Sequence, residues 1–246
     1  MMQVWAITDT GLVRRQNQDA YGFAQIEEWQ QTIAVVCDGM GGPKGGDVAS
    51  KLAVDTFLAS VQKNLRHDMS AEQIREVASF AASLANSAIR DMAAQHEECY
   101  GMGTTLVSAI TYDEGVVISN VGDSRAYLVS QQGGIHRISK DHSLVETLVE
   151  RGEITEDEAR IHPKRNYITR ALGAEATLNC DGYIVPLAQG DFILLCTDGL
   201  VSTVTDQEMC HEILQGEMDS CLQRLMEISK RNGAADNVTA LLLKKL

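Results

Sequence analysis

Eight short apolar, β-rich runs, at residues 3–8, 20–26, 32–37, 104–111, 116–120, 126–129, 192–196 and 238–243, set the strongest limit on how this chain folds. They do not alternate one-for-one with helices, which argues against a doubly wound parallel sheet. Short turns at 112–115 and 131–134 join neighbouring runs, as antiparallel pairing allows. Between the runs lie two long amphipathic patterns. The first carries Val48, Leu52, Val54, Phe57, Leu58, Val61 and Leu65 on one stripe, and the second Ile74, Val77, Ala78, Ala81, Leu84, Ala85, Ala88 and Met92. Asp47 and Ser70 stand where N-caps belong, and shorter amphipathic stretches follow at 206–214 and 219–230. The expected class is α+β, with antiparallel sheets covered by helices.

The 246 residues contain only three prolines and no Ser/Gly-rich stretch that reads as a linker, so one continuous domain over 1–246 is expected. Thirty-four acidic residues against twenty-one basic ones leave a net charge of -13, which repels nucleic-acid backbones and anionic lipid. No nucleic-acid partner is expected. The chain has no long apolar run and no basic-then-apolar beginning, so neither membrane insertion nor export is predicted. Cys37, Cys99, Cys180, Cys196, Cys210 and Cys221 form no C-x-x-C pair and read as buried small hydrophobes, in keeping with a reducing cytoplasm.

Carboxylates fall at the ends of the strand-like runs. AVVC ends in Asp38-Gly39, FILLCT in Asp198-Gly199 and VVISNV in Gly122-Asp123, while Asp19 and Asp236 flank two more. Such a residue stands at a sheet rim, where the ladder fixes its backbone and a following glycine permits a tight turn or close ligand approach. A single Asp-Gly is ordinary turn chemistry. Five acidic positions at strand ends point further. Gathered in one cleft they would raise each other's pKa unless cations neutralised them, and an all-oxygen set selects Mg²⁺ or Mn²⁺ over zinc or copper. Two such ions suit hydrolysis of a phosphoester by activated water. Substrate phosphate then needs a cation. Arg14, five residues before Asp19, offers a guanidinium able to bind phosphate bidentately, with Arg15 the less favoured neighbour.

These motifs resemble the metal-dependent protein serine/threonine phosphatases of the 2C type, especially the compact bacterial members. The similarity runs nearly end to end, through GLVRRQNQDA (11–20), VCDGMGGPKGGDVAS (36–50), GMGTTLVSA (101–109), VGDSRAYL (121–128), KDHSLVETLVERGEIT (140–155), HPKRNYITRALG (162–173), CTDGL (196–200) and ADNVT (235–239). The resemblance implies a four-layer α-β-β-α sandwich, two antiparallel sheets flanked by pairs of antiparallel helices, with metals in a cleft at one end. It implies that Asp38 bridges two ions, that the Gly39 carbonyl is a ligand, and that Asp198 and Asp236 bind the ion on the opposite side. Asp19 would act through metal-bound waters or directly, Arg14 would bind the substrate phosphate, and Asp123 with Asp198 would hold a weaker third ion.

Three departures from the family pattern involve four positions. Gln18 replaces a frequent Glu, Ser202 stands where many relatives place another Asp at the third ion, and Met40 and Pro43 occupy positions where relatives carry His. The proton donor to the leaving alkoxide is therefore unassigned. His142 and His162 read as structural hydrogen-bonding groups. The segment 146–170 corresponds to the family's variable flap, either a solvated helix pair or a phosphopeptide surface with Lys164 and Arg165 attracting negative substrate. DGMGGPKGG lacks the endings of nucleotide loops, so nucleotide binding is not expected.

The resulting expectation is a cytoplasmic, monomeric phosphatase that hydrolyses phosphothreonine and phosphoserine by direct attack of water. It would act on a phosphorylated protein, a Ser/Thr kinase or its target. No cysteine lies in a C-x5-R phosphate loop, so no covalent phosphoenzyme is expected. The alternative is a catalytically silent relative that binds phosphoprotein or a regulatory partner. A two-metal phosphodiesterase acting on nucleotides is disfavoured by the charge.

Overall fold

Strand pairing is antiparallel throughout the described residues, 2–41 and 45–246 of the computed structural model. The first sheet contains β1 (Met2–Asp9), β7 (Arg125–Ser130), β8 (Gly134–Arg137), β10 (Phe192–Cys196) and β11 (Val238–Lys245), in the order β1-β11-β10-β7-β8. The second contains β2 (Asp19–Ile26), β3 (Gln31–Met40), β5 (Leu106–Tyr112), β6 (Gly115–Val121) and β9 (Asp181–Pro186), in the order β2-β3-β5-β6-β9, with the short β4 (Gly103–Thr104) paired to β3.

The inner strands β3 and β10 are apolar on both faces because each face meets a different core. In β3, Ala34 and Val36 enter the core between the sheets, while Ile33, Val35 and Cys37 face helices. In β10, Ile193 and Leu195 face the other sheet, and Phe192, Leu194 and Cys196 face outward to a second helical layer. Helices α1 (Gly46–Asn64) and α2 (Ala71–Gln95) cover the second sheet through Phe57, Val61, Ile74, Ala78, Ala85 and Ile89. Helices α6 (Asp206–Gln215) and α7 (Cys221–Arg231) cover the first through Met209, Ile213, Leu222 and Leu225. Three cores thus separate four layers, the α+β sandwich expected.

The local differences have simple causes. Asp47 does not cap α1: Gly45 is the cap, and Asp47 lies in the first turn, 3.6 Å from Lys51, where a carboxylate favours the positive helix end. Ser70 does cap α2, in a reciprocal capping box with Gln73. The expected run 104–111 is split between β4 and β5, and Asp38 lies inside β3 rather than after it. Strands β8 and β9 escape sequence reading because they are sheet edges with no fully buried residue, only Ile135 in β8 and Tyr183 and Val185 in β9 packing partly against a core.

The segment 146–170 holds part of α3 (Leu144–Glu150) and all of α4 (Glu156–Ile161), capped by Ser143 and Thr155; neither helix has a buried residue. Four cysteines are buried, but Cys180 and Cys210 are only partly so. No described helix is long and apolar enough to cross a membrane.

Candidate active site

Five strands or strand ends deliver carboxylates to one rim. Asp19 opens β2 directly opposite Asp38 in β3. Asp123 follows β6, Asp198 opens the short helix α5 (Asp198–Val201) after β10, and Asp236 precedes β11. The two sheets therefore contribute acids from chain positions far apart, and their mutual electrostatics reflect that approach.

Burial pushes the Asp19 carboxyl up to about 7, with Asp198 and Asp236 adding repulsion and the hydroxyls of Thr239 and Thr197 pulling it down. Enclosure and then the charges of Asp19, Asp198, Asp123 and Asp236 hold Asp38 well above the carboxylate range. Asp123 is raised by burial and by Asp198 and Asp141. Asp198 rises to about 6 through enclosure and Asp236, partly offset by a side-chain hydrogen bond with Asp38. One buried oxygen each of Asp19, Asp123 and Asp198 has no hydrogen-bond partner. Acids crowded in this way are costly without a compensating cation.

Arg14 meets the cluster at its outer side. Its Nη2 donates to Asp236 Oδ2 at 2.7 Å, and Asp236, then Asp38 and Asp198, raise the guanidinium pKa further. The side chain remains half-exposed, 52%. Arg14 and Asp236 were expected to serve phosphate and metal separately, yet here they are paired. Among the described residues, no three His, Cys, Asp or Glu side chains stand posed as a ready-made metal-ligand set; Asp236 is paired with Arg14, and one oxygen of Asp19 accepts from two threonines.

Two glycines let the backbone close in. A Cβ on Gly39 would lie 2.0 Å from the Gly46 carbonyl, so the segment after Asp38 can dock on the start of α1 only without a side chain. A Cβ on Gly199 would lie 1.9 Å from the Asn237 carbonyl, which joins α5 to the approach of β11.

Several contributors were not read from sequence. Asn237 Nδ2 donates to the carbonyls of Thr10 and Gln16, and its Oδ1 accepts the Gln18 N–H, which binds the Arg14 loop to the Asp236 segment. Its only sequence signal was its place after Asp in ADNV. Thr105 Oγ1 accepts the Asp38 N–H at 2.9 Å, and Thr104 Oγ1 donates to the Asp38 carbonyl at 2.8 Å.

A protein phosphatase 2C family model matches residues 13–243. The chain belongs to the protein phosphatase 2C family. It is similar to the serine/threonine phosphatase stp of Listeria innocua serovar 6a, with 39% identity over 240 residues, 97% of this chain and 94% of that protein. The crystal structure of serine/threonine phosphatase Stp1 from Staphylococcus aureus superimposes with a TM-score of 0.92 at 36% identity, covering 100% of this chain and 96% of that one. The catalytic domain of the serine threonine protein phosphatase PstP in complex with two manganese ions gives a TM-score of 0.84 at 31% identity, covering 99% and 97%.

Within this 2C-type frame, the departing residues have definite surroundings. The Ser202 hydroxyl donates to the Gly199 carbonyl at 3.1 Å. Gln18 lies with its side chain against Gly46 and its carbonyl accepts the Gly39 N–H. Met40 ends β3, and Pro43 lies outside the described residues. His142 is buried, with Nδ1 accepting the Gly122 N–H at 3.0 Å, and His162 Nδ1 accepts the Lys164 N–H. A groove of about 810 Å³ runs from Asp123, Asp198 and Ser202 toward α4, lined there by Arg160 and Arg165. Lys164 instead sits over the Tyr167 ring at 5.8 Å.

Proposed function

We propose that this phosphatase hydrolyses phosphothreonine and phosphoserine in proteins by direct attack of water, with two divalent cations, Mn²⁺ or Mg²⁺, held by the carboxylate cluster. The observation that carries the reading is the convergence of Asp19, Asp38, Asp123, Asp198 and Asp236 at one rim beside Arg14.

The donor set fits hard cations. It is built of carboxylate oxygens, three of them buried without a partner, which is the chemistry that Mn²⁺ and Mg²⁺ accept. Asp38 would be shared by both ions, the Gly39 carbonyl would serve one, and Asp198 and Asp236 the other. Asp19 would act directly or through coordinated water. Asp123 and Asp198 would take a weaker third ion, to which Ser202, already donating to Gly199, brings no charge. When bound, the ions neutralise the cluster and make water acidic enough to serve as a nucleophile near neutral pH.

Arg14 binds the phosphoryl oxygens, its exposed fork placed beside the acids and able to exchange Asp236 for phosphate. Asp38 accepts hydrogen bonds from the attacking water and orients it. The groove beyond Asp123 receives the peptide, with Arg160 and Arg165 drawing in its negative charge. His142 does not supply the leaving group's proton, because Nδ1 is engaged by Gly122 and Nε2 faces Asp181. Burial raises the Cys37 thiol and pushes the Cys196 thiol up to about 12, so neither supplies a thiolate nucleophile.

The test is turnover of a phosphothreonine peptide with Mn²⁺, with and without chelator, in wild type and Asp38→Asn. Chelator-sensitive turnover that the variant loses is the expected result. Peptide binding by the wild type without any metal-dependent turnover would establish the silent, phosphoprotein-binding alternative instead.

A further inference from the structure

A chain of donors ends on Asp19, and its direction follows atom by atom. The Asp19 N–H donates to Asn17 Oδ1 at 3.1 Å, which leaves Nδ2 as the donor of that amide. Nδ2 gives its hydrogen to Thr8 Oγ1 at 2.8 Å. The hydroxyls of Thr8 and Thr239 are 2.7 Å apart, and Thr239 Oγ1 is also 2.7 Å from Asp19 Oδ2. A hydroxyl has one hydrogen and an ionised carboxylate only accepts. Thr239 therefore donates to Asp19, and Thr8 donates to Thr239. On the other side, Thr197 Oγ1 accepts the Thr239 N–H at 3.0 Å and donates to Asp19 Oδ2 at 2.9 Å.

The outcome is asymmetric. Asp19 Oδ2 receives two hydroxyl hydrogens, whereas Oδ1 is buried and receives none. Thr197 and Thr239 are themselves fully buried. Thr197 directly follows β10 and Thr239 lies in β11, both strands of the first sheet, while Asp19 opens β2 in the second. The bonds therefore cross between sheets at the rim where the acids meet.

We infer that Thr197 and Thr239 are positioning residues for the reaction: their hydroxyls hold one oxygen of Asp19 across the sheet interface and leave Oδ1 as its single oxygen for the cation site. The inference rests on the metal-dependent reading above. A hydrogen-bonded outer partner of this kind fixes the rotamer of an acidic ligand and so the direction in which its other oxygen points. Serine at either position keeps the donor, and valine keeps the shape while removing it.

The test is calorimetric titration of the full chain with Mn²⁺, with peptide kinetics and thermal unfolding in EDTA, for wild type and for Thr197→Val, Thr197→Ser, Thr239→Val and Thr239→Ser. Each valine variant is expected to bind manganese about 10- to 100-fold more weakly. At saturating manganese it should lower kcat with little change in KM, and the serine variants should restore wild-type affinity. Valine variants that melt earlier in EDTA but match the wild-type manganese affinity would reduce the hydroxyls to a structural role and overturn the inference. Loss of the fold in both valine variants would do the same. A wild type that binds no manganese would overturn the site reading itself.

Discussion

Asp198 opens α5 with one buried oxygen lacking a partner, and enclosure and the charge of Asp236 move its carboxyl from an ordinary 3.8 up to about 6. An acid that holds its proton more tightly folded than unfolded costs stability once ionised. The cost is absent below pH 3.8, grows up to about 6, and is complete at higher pH. The gap from 3.8 to about 6 corresponds to about 3 kcal/mol. In metal-free protein, Asp198→Asn should recover up to that amount, because an asparagine keeps the shape and can donate to Asp38. For a chain of this length, about 2–4 °C per kcal/mol converts the gain to a melting temperature higher by roughly 6–12 °C.

The assay is unfolding followed by circular dichroism in EDTA, at about pH 7.5 and about pH 4.5. The gain should be large at the first and small at the second. Manganese at about a thousand times its Kd should reverse the ranking, since it stabilises the wild type by about 4.1 kcal/mol, more than the variant's gain, and the variant lacks a ligand. An asparagine variant no more stable than wild type at neutral pH in EDTA, or one whose gain ignores pH, would refute the reasoning.

Arg14→Ala should lower kcat/KM for a phosphothreonine peptide about 10- to 100-fold, the worth of a charged hydrogen bond. Arg14→Lys should recover only part of it, and manganese titration should find metal affinity undiminished because Asp236 loses its competing partner. Gly199→Ala, whose Cβ would sit 1.9 Å from the Asn237 carbonyl, should cost about 1–3 kcal/mol in urea unfolding. Ser202→Asp adds a carboxylate to the groove shared by Asp123 and Asp198, and calorimetry should then find the weakest manganese site tightened; an unchanged isotherm would place position 202 outside ligand reach.

The layers were legible because each rests on a local pattern. The run 192–196 coincides with β10, since a strand between two cores is apolar at every position. Ser70 was legible as a cap because the side chain and the amide it serves are three residues apart. Edge strands β8 and β9 were not, because only one or two of their apolar side chains pack, and only partly, against a core. Position 47 misled because Asp favours both the cap and the first turn, and the close approach of Gly39 to Gly46 decides where the helix begins.

At the site, position beside apolar runs marked Asp19, Asp38, Asp123, Asp198 and Asp236, and a guanidinium five residues before Asp19 marked Arg14. Thr105, Thr197, Thr239 and Asn237 did not stand out. A threonine in a strand is ordinary, and its hydroxyl gains meaning only from what lies across a sheet interface.

The linear order of side chains thus determined which chemistry the chain could offer: oxygen donors for hard cations, a guanidinium for phosphate, and strands enough for two sheets. Tertiary structure alone decided which oxygens are satisfied and which are left over. Arg14 reaches Asp236 across 222 positions and Thr239 reaches Asp19 across 220. Hydrogen bonding and charge repulsion act over a few ångströms of space, and only strand register brings residues so distant in the chain within that range.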